Sequence, residues 1–449
     1  MAGGTWKAQD KRRPGAYINV VGNGQRETTS SLGRVLLVRD KGLGWGKTGV
    51  VEVDANSDFT KKLGTTLDDP ALTALKETLK GASKVLVLNP NEGTAATLTK
   101  EGLPWTITAN YPGEKGNQIT VSVEVSPADP NTATVSTIFG TKLVDEQVVK
   151  FDALDEFKGN DYITAKEVAS SKPAAFTNVS GTLTGGATTE SKKVEDLLND
   201  ALENEEYAVV TTAGFEPSSN MNKLVVEAVK RLRENEGRKV RAVIPTDGST
   251  VYNYEGVSTV VNGYTLGDGT NVDVKDATGF FAGISASADA ATSLTYFDVE
   301  DAISAYPKLD NEKTIKALDA GQIVFTTRPG QRVVIEQDIN SLHKFTAEKP
   351  MSFSKNRVMR TLDEIATDTE NTFEKVYLGK VGNNANGRDL FKADRIAYLT
   401  SLQNRNIIQA FDNTDITVEA GNDVDAIVVN LAVTPVDAME KLYMTMVVR

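Results

Sequence analysis

Cysteine is absent from the 449 residues, and histidine occurs once, at His343. Without cysteine there are no disulfides, thiolate metal sites or cysteine nucleophiles. One histidine cannot supply the two or three that zinc usually takes. It could serve a catalytic triad only if a nucleophile and a carboxylate met it in space. Its surroundings, Ser341-Leu342-His343-Lys344-Phe345, carry no nucleophile motif, so it reads as a loop or packing histidine. No run of 18 apolar residues is present to span a membrane as a helix. The first fifteen residues carry charge but no apolar segment of the secretory kind, and the lack of cysteine sets the expectation of synthesis in a cytoplasm. An excess of positive charge is lacking too: 49 Lys and Arg stand against 61 Asp and Glu, a net charge of -12. That argues against a nucleic-acid partner, because a phosphate backbone needs a basic face.

What remains is the composition of a folded chain, 40% hydrophobic and 24% charged, at a length that implies two to four domains. Arg34-Val35-Leu36-Leu37-Val38 and Lys84-Val85-Leu86-Val87-Leu88 read as buried strands. Between them, residues 70–80 place Ala71, Leu72, Leu75 and Leu79 on one helical stripe, with Asp69 as N-cap and Gly81 as stop. From residue 93 to 186 Thr/Val alternation with frequent turns predicts a small antiparallel β domain. The α/β pattern then resumes: a helix with Val194, Leu197, Leu198, Ala201 and Leu202 inward, a strand at 207–212, a helix from Ser219 to Gly237 and a strand at 240–245. A small-residue helix is expected over 276–292, and a hairpin from 322–327 and 332–336. The fold class is therefore a mixed α/β core with an inserted antiparallel β domain and an α+β C-terminal domain, which carries a long helix from Ser354 to about Tyr377 and a second through Ile396, Leu399 and Leu402. The expected organisation is an N-terminal arm and linker at 1–24, a core at 25–92 plus 187–345, the insert at 93–186 and the C-terminal domain at 346–449.

Three segments invite a chemical reading and do not sustain it. Gly42-Leu43-Gly44-Trp45-Gly46-Lys47-Thr48 nearly matches a phosphate-binding loop, but Lys41 stands where the first glycine belongs. Such a loop must open a helix, and Gly49-Val50-Val51-Glu52-Val53 is strand-like. Gly267-Asp268-Gly269-Thr270-Asn271-Val272-Asp273 lacks EF-hand spacing and its closing glutamate, and reads as a solvated turn. Glu203-Asn204-Glu205-Glu206 reads as a charged helix end. No cofactor, metal or catalytic residue is expected, and the chain reads as a non-enzyme.

Both ends instead alternate like strands: Ala16, Ile18 and Val20 near the start, and Leu442, Met444, Met446 and Val448 near the finish. A strand needs a sheet, and a neighbouring subunit's open edge can provide one.

Several segments together resemble one family. Arg13-Pro14-Gly15-Ala16-Tyr17-Ile18-Asn19 resembles the R-P-G-(V/A)-Y-I-N start of tail sheath proteins of contractile-tailed bacteriophages, R-type bacteriocins and related defective prophages. Phe59-Thr60-Lys61-Lys62-Leu63-Gly64, then Gly81 to Val87, resembles the family's early core. Thr108-Ala109-Asn110-Tyr111-Pro112-Gly113-Glu114-Lys115-Gly116-Asn117 resembles its A-x-(Y/W)-P-G-x-x-G-N signature, and Leu183-Thr184-Gly185-Gly186 the L-x-G-G that closes the inserted domain. The chain departs after Gly186, where Ala187-Thr188-Thr189 replaces the family's frequent Asp-Gly. The resemblance implies a structural subunit that polymerises as stacked hexameric rings around an inner tube and contracts to drive the tube through a target envelope. The implied partners are copies of itself, the inner tube protein, and baseplate and tail terminator proteins, with no nucleic acid and no membrane insertion. The implied place is a virion tail or bacteriocin particle assembled in the host cytoplasm. On this reading Ala16, Ile18, Val20, Leu442, Met444, Met446 and Val448 form inter-subunit strands. Gly22, Asn23 and Gly24, and Val436, Asp437 and Ala438, serve as linkers. Arg357, Arg360, Asp363 and Glu364, on an amphipathic helix, face the inner tube. The alternatives are a tube or shell protein that does not contract, and an α/β enzyme with a β insert.

Overall fold

The computed structural model describes residues 2–4, 15–17, 31–168, 173–189, 194–330 and 332–448. The first 31 residues form a unit of their own, in which Ala2–Gly4 pairs in parallel with Gly15–Tyr17. Of the N-terminal candidates Ala16 lies in this pairing, whereas Ile18, Val20, Gly22, Asn23 and Gly24 lie outside the described residues.

In the second unit a seven-stranded sheet forms the core. Its order is Gln322–Ile323, Val257–Val260, Arg241–Pro245, Val209–Thr211, Arg34–Val38, Lys84–Asn89 and Gly49–Val53. All neighbours run parallel except the last pair, so one antiparallel strand closes an edge. Parallel strands need helical crossovers, which bury both faces, and this is why the strands are unbroken Val, Leu and Ile runs. Successive side chains of Arg34–Val38 divide accordingly. Leu36 and Val38 pack with the helices Val194–Asn204 and Asn220–Glu234, whereas Val35 packs with Val274–Ser287 and Leu37 with Thr73–Leu79. The expected N-cap is present: Ala71 N–H donates to Asp69 Oδ1 at 2.9 Å.

Val274–Ser287 lies across Thr73–Leu79 with almost nothing between the backbones. A Cβ on Gly279 would stand 2.5 Å from the carbonyl oxygen of Ala74, and one on Gly283 would stand 2.2 Å from that of Thr78. Alanine inside a helix ordinarily gains about 1 kcal/mol over glycine. Here the backbone must move, so Gly283→Ala should instead destabilise by about 1–3 kcal/mol in denaturant unfolding. A stabilised variant would refute this packing.

The insert is a sandwich. Lys142–Lys150, Asp129–Phe139, Ile119–Ser126 and Val179–Thr182 form one antiparallel sheet, and Ile163–Glu167, Trp105–Ala109 and Thr97–Leu98 form the other. Alternate residues such as Ile107, Ala109, Val121, Val123 and Val135 meet in one core between them.

The run expected as one strand over 322–327 divides. Gln322–Ile323 joins the core sheet, and Phe325–Arg328 turns away to pair with Arg332–Ile335. The buried Asn262 side chain stitches the break: it accepts from Phe325 N–H and donates to Phe325 O, both at 2.9 Å. The C-terminal region contains the helix Asn356–Thr372, a π-helical turn Phe373–Tyr377, the helix Ala385–Asn404 and the hairpin Ile416–Ala420/Ile427–Leu431. Ile365, Leu399, Leu402, Ile407 and Ile408 form its small core.

Candidate functional site

The chemical candidates dissolve into structure. The loop Gly42–Thr48 leads into the strand Gly49–Val53 and carries Trp45 between two glycines. Trp45 is fully buried, its Nε1–H donates to Lys61 O at 2.9 Å, and its ring meets Tyr111, Phe139 and Tyr162 of the insert. Asn91, also fully buried, donates to both Gly46 O (3.0 Å) and Pro112 O (2.8 Å). The near-miss phosphate loop is thus the joint between core and insert. The Gly267–Asp273 segment turns between the paired strands Gly263–Leu266 and Asn271–Val272, with Asp268 accepting from Thr270 N–H at 2.8 Å. That bond holds the exposed carboxyl below its usual range. The carbonyls of Leu202, Glu203 and Glu205, at the acidic helix end, accept from Arg238. The His343 ring stands 3.0 Å from a nearby carbonyl, Ser341 O. Among the described residues there is no group of three His, Asp or Glu placed to hold a metal.

The helix expected to face a tube is tied inward at two of its four nominated residues. Arg360 is 5% exposed; its Nη2 donates to Asp338 Oδ2 at 2.6 Å and to Thr292 O at 2.8 Å. Asp363 accepts a two-pronged pair from Arg233, at 2.7 and 3.0 Å. Burial works against the Arg233 charge, and the facing Asp363 carboxylate more than offsets it, so the guanidinium's pKa is raised. Within the subunit Arg360 and Asp363 act as braces that fix this helix to the core. Arg357 and Glu364 are part-exposed, and Glu364 lies 3.6 Å from Arg405. Partial burial raises the Glu364 pKa.

The surface that stands unsatisfied is the C-terminal end. Residues 441–448 belong to no sheet among the described residues. Leu442, Met444, Met446 and Val448 are 86%, 69%, 79% and 94% exposed, and Tyr443 and Val447 on the other face are equally bare. Monomeric proteins rarely expose a contiguous, largely apolar stretch of this kind. The two-stranded hairpin Ile416–Ala420/Ile427–Leu431 leaves a free edge on each strand, with Val428 and Val429 exposed on its surface.

Three family models match the chain: the phage tail sheath protein beta-sandwich domain over residues 91–189, the central domain over 186–341 and the C-terminal domain over 348–449. The sheath tail protein of Desulfitobacterium hafniense has a solved structure that is 33% identical, covers 96% of this chain and 99% of its own, and superposes with a TM-score of 0.79. This chain belongs to the phage tail sheath family. The phage-like element PBSX protein XkdK of Bacillus subtilis is similar along the whole length of the sheath chain, 32% identical over 99% of each. The fold reaches further than the sequence. The helical sheath of the anti-feeding prophage in its contracted state is 11% identical, covers 97% of this chain and 98% of its own, and has a TM-score of 0.55. The family is one of structural tail proteins, and the mixed α/β fold with its inserted sandwich is the sheath fold.

Proposed function

We propose that this chain builds a contractile sheath: hexameric rings stacked around an inner tube, joined by donated strands, which shorten on triggering and push the tube through a cell envelope. The bare C-terminal segment carries the reading. Its alternating apolar residues have no strand partner among the described residues, and the subunit's hairpin offers free edges of the kind an incoming strand completes. A two-stranded sheet is marginal alone, so both elements gain by pairing between copies. The N-terminal residues Ala16, Ile18 and Val20 would contribute the second donated strand.

Contraction of this kind needs no nucleotide. The extended lattice is held by a barrier, with a more favourable packing beyond it. Donated strands suit the motion, because backbone hydrogen bonds persist while linkers such as Gly22-Asn23-Gly24 absorb the dihedral change. Baseplate and terminator proteins would bound the polymer in a virion tail or bacteriocin particle assembled in the host cytoplasm. The sandwich at 93–186 would sit outward, since it closes a core of its own. Arg357 and Glu364 remain candidates for the tube.

Deleting residues 443–449 tests the reading. The monomer should keep its helix content and melting temperature, because the side chains of residues 443–448 are mostly exposed in their own subunit, and long tubes in negative-stain micrographs should be lost. Tubes of normal length would sink strand donation. A tube seen at one diameter only, before and after triggering, would favour the static polymer.

A further inference from the structure

The sequence suggests a hinge at Val436, Asp437 and Ala438, but the chain is held on both sides of it. Upstream, Gln409 N–H donates to Thr434 O at 2.8 Å, and Val436, the first of the three, itself donates its N–H to Ile407 O at 2.9 Å. Downstream, Glu440 reaches back into the subunit. Its Oε1 accepts from Thr295 Oγ1 at 2.8 Å. Its Oε2 accepts from Gln337 Nε2 at 2.8 Å and pairs with the ammonium of Lys355, the residue just before the helix Asn356–Thr372. The Glu440 side chain is 12% exposed and that of Lys355 18%, yet Met439 on one side of Glu440 and Leu442 on the other are bare. One carboxylate is thus held in a stretch otherwise open to water, at the rim of a groove of about 940 Å³ lined by Tyr296, Ile315, Leu318, Phe345 and Met351. Burial alone would raise its pKa, but the hydrogen bonds from Lys355, Gln337 and Thr295 outweigh it and hold the group below the usual carboxylate range.

We propose that Glu440 is the fixed root of the C-terminal arm, a positioning residue that sets where the donated strand leaves its subunit and how far it reaches into a second copy of this chain. The inference rests on the strand-donating sheath reading and deepens it. Its three side-chain partners, Thr295, Gln337 and Lys355, come from separate places along the chain. The root is therefore tied to the core and the C-terminal domain together. Reach follows from chain geometry. Val448 is eight residues past Glu440, so at roughly 3.3–3.6 Å per residue it lies no further than about 29 Å from the anchor. Counted from Val436 the same strand would reach about 43 Å. The acceptor edge on the neighbouring copy must fall inside the shorter limit, and a root fixed before assembly lowers the ordering entropy of docking.

The absence of cysteine makes the test direct, because one introduced cysteine takes one nitroxide label. The label is placed at Met439→Cys, and in a second protein at Val447→Cys, each in the otherwise unchanged chain and with Glu440→Ala or Lys355→Ala. In the unassembled protein the label at 439 should be slow, and both variants should shorten its correlation time severalfold, whereas the label at 447 should be fast in all. Without labels, the variants should keep their circular dichroism and form tubes at least about tenfold more slowly, the loss expected of one partly buried charged anchor. A label at 439 as mobile in the unchanged chain as in the variants overturns the anchor, and variants that assemble at the normal rate overturn its positioning role. A chain ending at residue 442 separates the two readings. If it still builds normal tubes, strand donation itself has failed, whatever the label at 439 reports about the root.

Discussion

Asp338→Ala should destabilise the subunit by about 3–5 kcal/mol, because it strands a buried charge. Asp338 and Arg360 are both almost wholly inside the protein, and Asp338 collects three donors: Arg360 Nη2 at 2.6 Å, Asn356 Nδ2 at 2.9 Å and Leu294 N–H at 3.0 Å. With the carboxylate gone, the guanidinium keeps one acceptor, Thr292 O, in surroundings that cannot solvate it. The exposed pair Arg332–Asp298 is the control. It has two short bonds of 2.6 Å, but both side chains are more than half in water. Asp298→Ala should therefore change stability by no more than about 1 kcal/mol. The double variant Asp338→Leu with Arg360→Met should recover much of the loss, because it removes both charges and leaves apolar bulk. Urea unfolding followed by circular dichroism measures all three. Equal effects for Asp338→Ala and Asp298→Ala would show that the buried pair is no brace.

The same pair marks the limit of what a linear sequence displays. Period and punctuation are enough for the layers: continuous apolar runs become the parallel core, Thr/Val alternation becomes the sandwich, and Asp69 caps its helix. These signals are local, so a linear reading reaches them. The helix Asn356–Thr372 also shows its amphipathic pattern in the sequence, but the pattern does not say what its charged residues meet. The partner of Asp363 is Arg233, 130 positions away, and nothing short-range connects them. Charged residues are usually exposed, and that default fails when an opposite charge and good geometry compensate burial. The anchor at Glu440 is hidden for the same reason: Thr295 is 145 positions from it, and Glu440 carries no mark that separates it from a solvated glutamate. The alternation over Leu442 to Val448 is legible as strand pattern, but no pairing partner for it can be read from one copy.

Trp45→Ala should be as damaging as the loss of Asp338, about 3–5 kcal/mol, and its damage should be localised at the joint between core and sandwich. The indole is planted from the core's loop into the insert's own hydrophobic cluster, with ring centres 5.2 Å from Tyr111, 5.1 Å from Phe139 and 5.9 Å from Tyr162. Two of the glycines that suggested a phosphate loop flank this tryptophan. Gly44 and Gly46 take positive φ, at 69° and 88°, which lets the loop fold tightly around the tryptophan. A Cβ on Gly64 would stand 2.4 Å from Trp45 Cβ, and one on Gly113 would stand 2.2 Å from Gly44 O, so the surrounding backbones close directly on the loop. Alanine would leave a cavity in a place that these tight contacts prevent from collapsing, and cavity loss is largest where relaxation is smallest. Trp45→Phe keeps most of the apolar volume but loses the Nε1–H bond to Lys61 O, and should lie between the two. In calorimetry the alanine variant should show the sandwich melting ahead of the core, because the aromatic contacts that couple them are gone. If the sandwich and core still melt together, with stability changed by less than about 1 kcal/mol, Trp45 is not the joint.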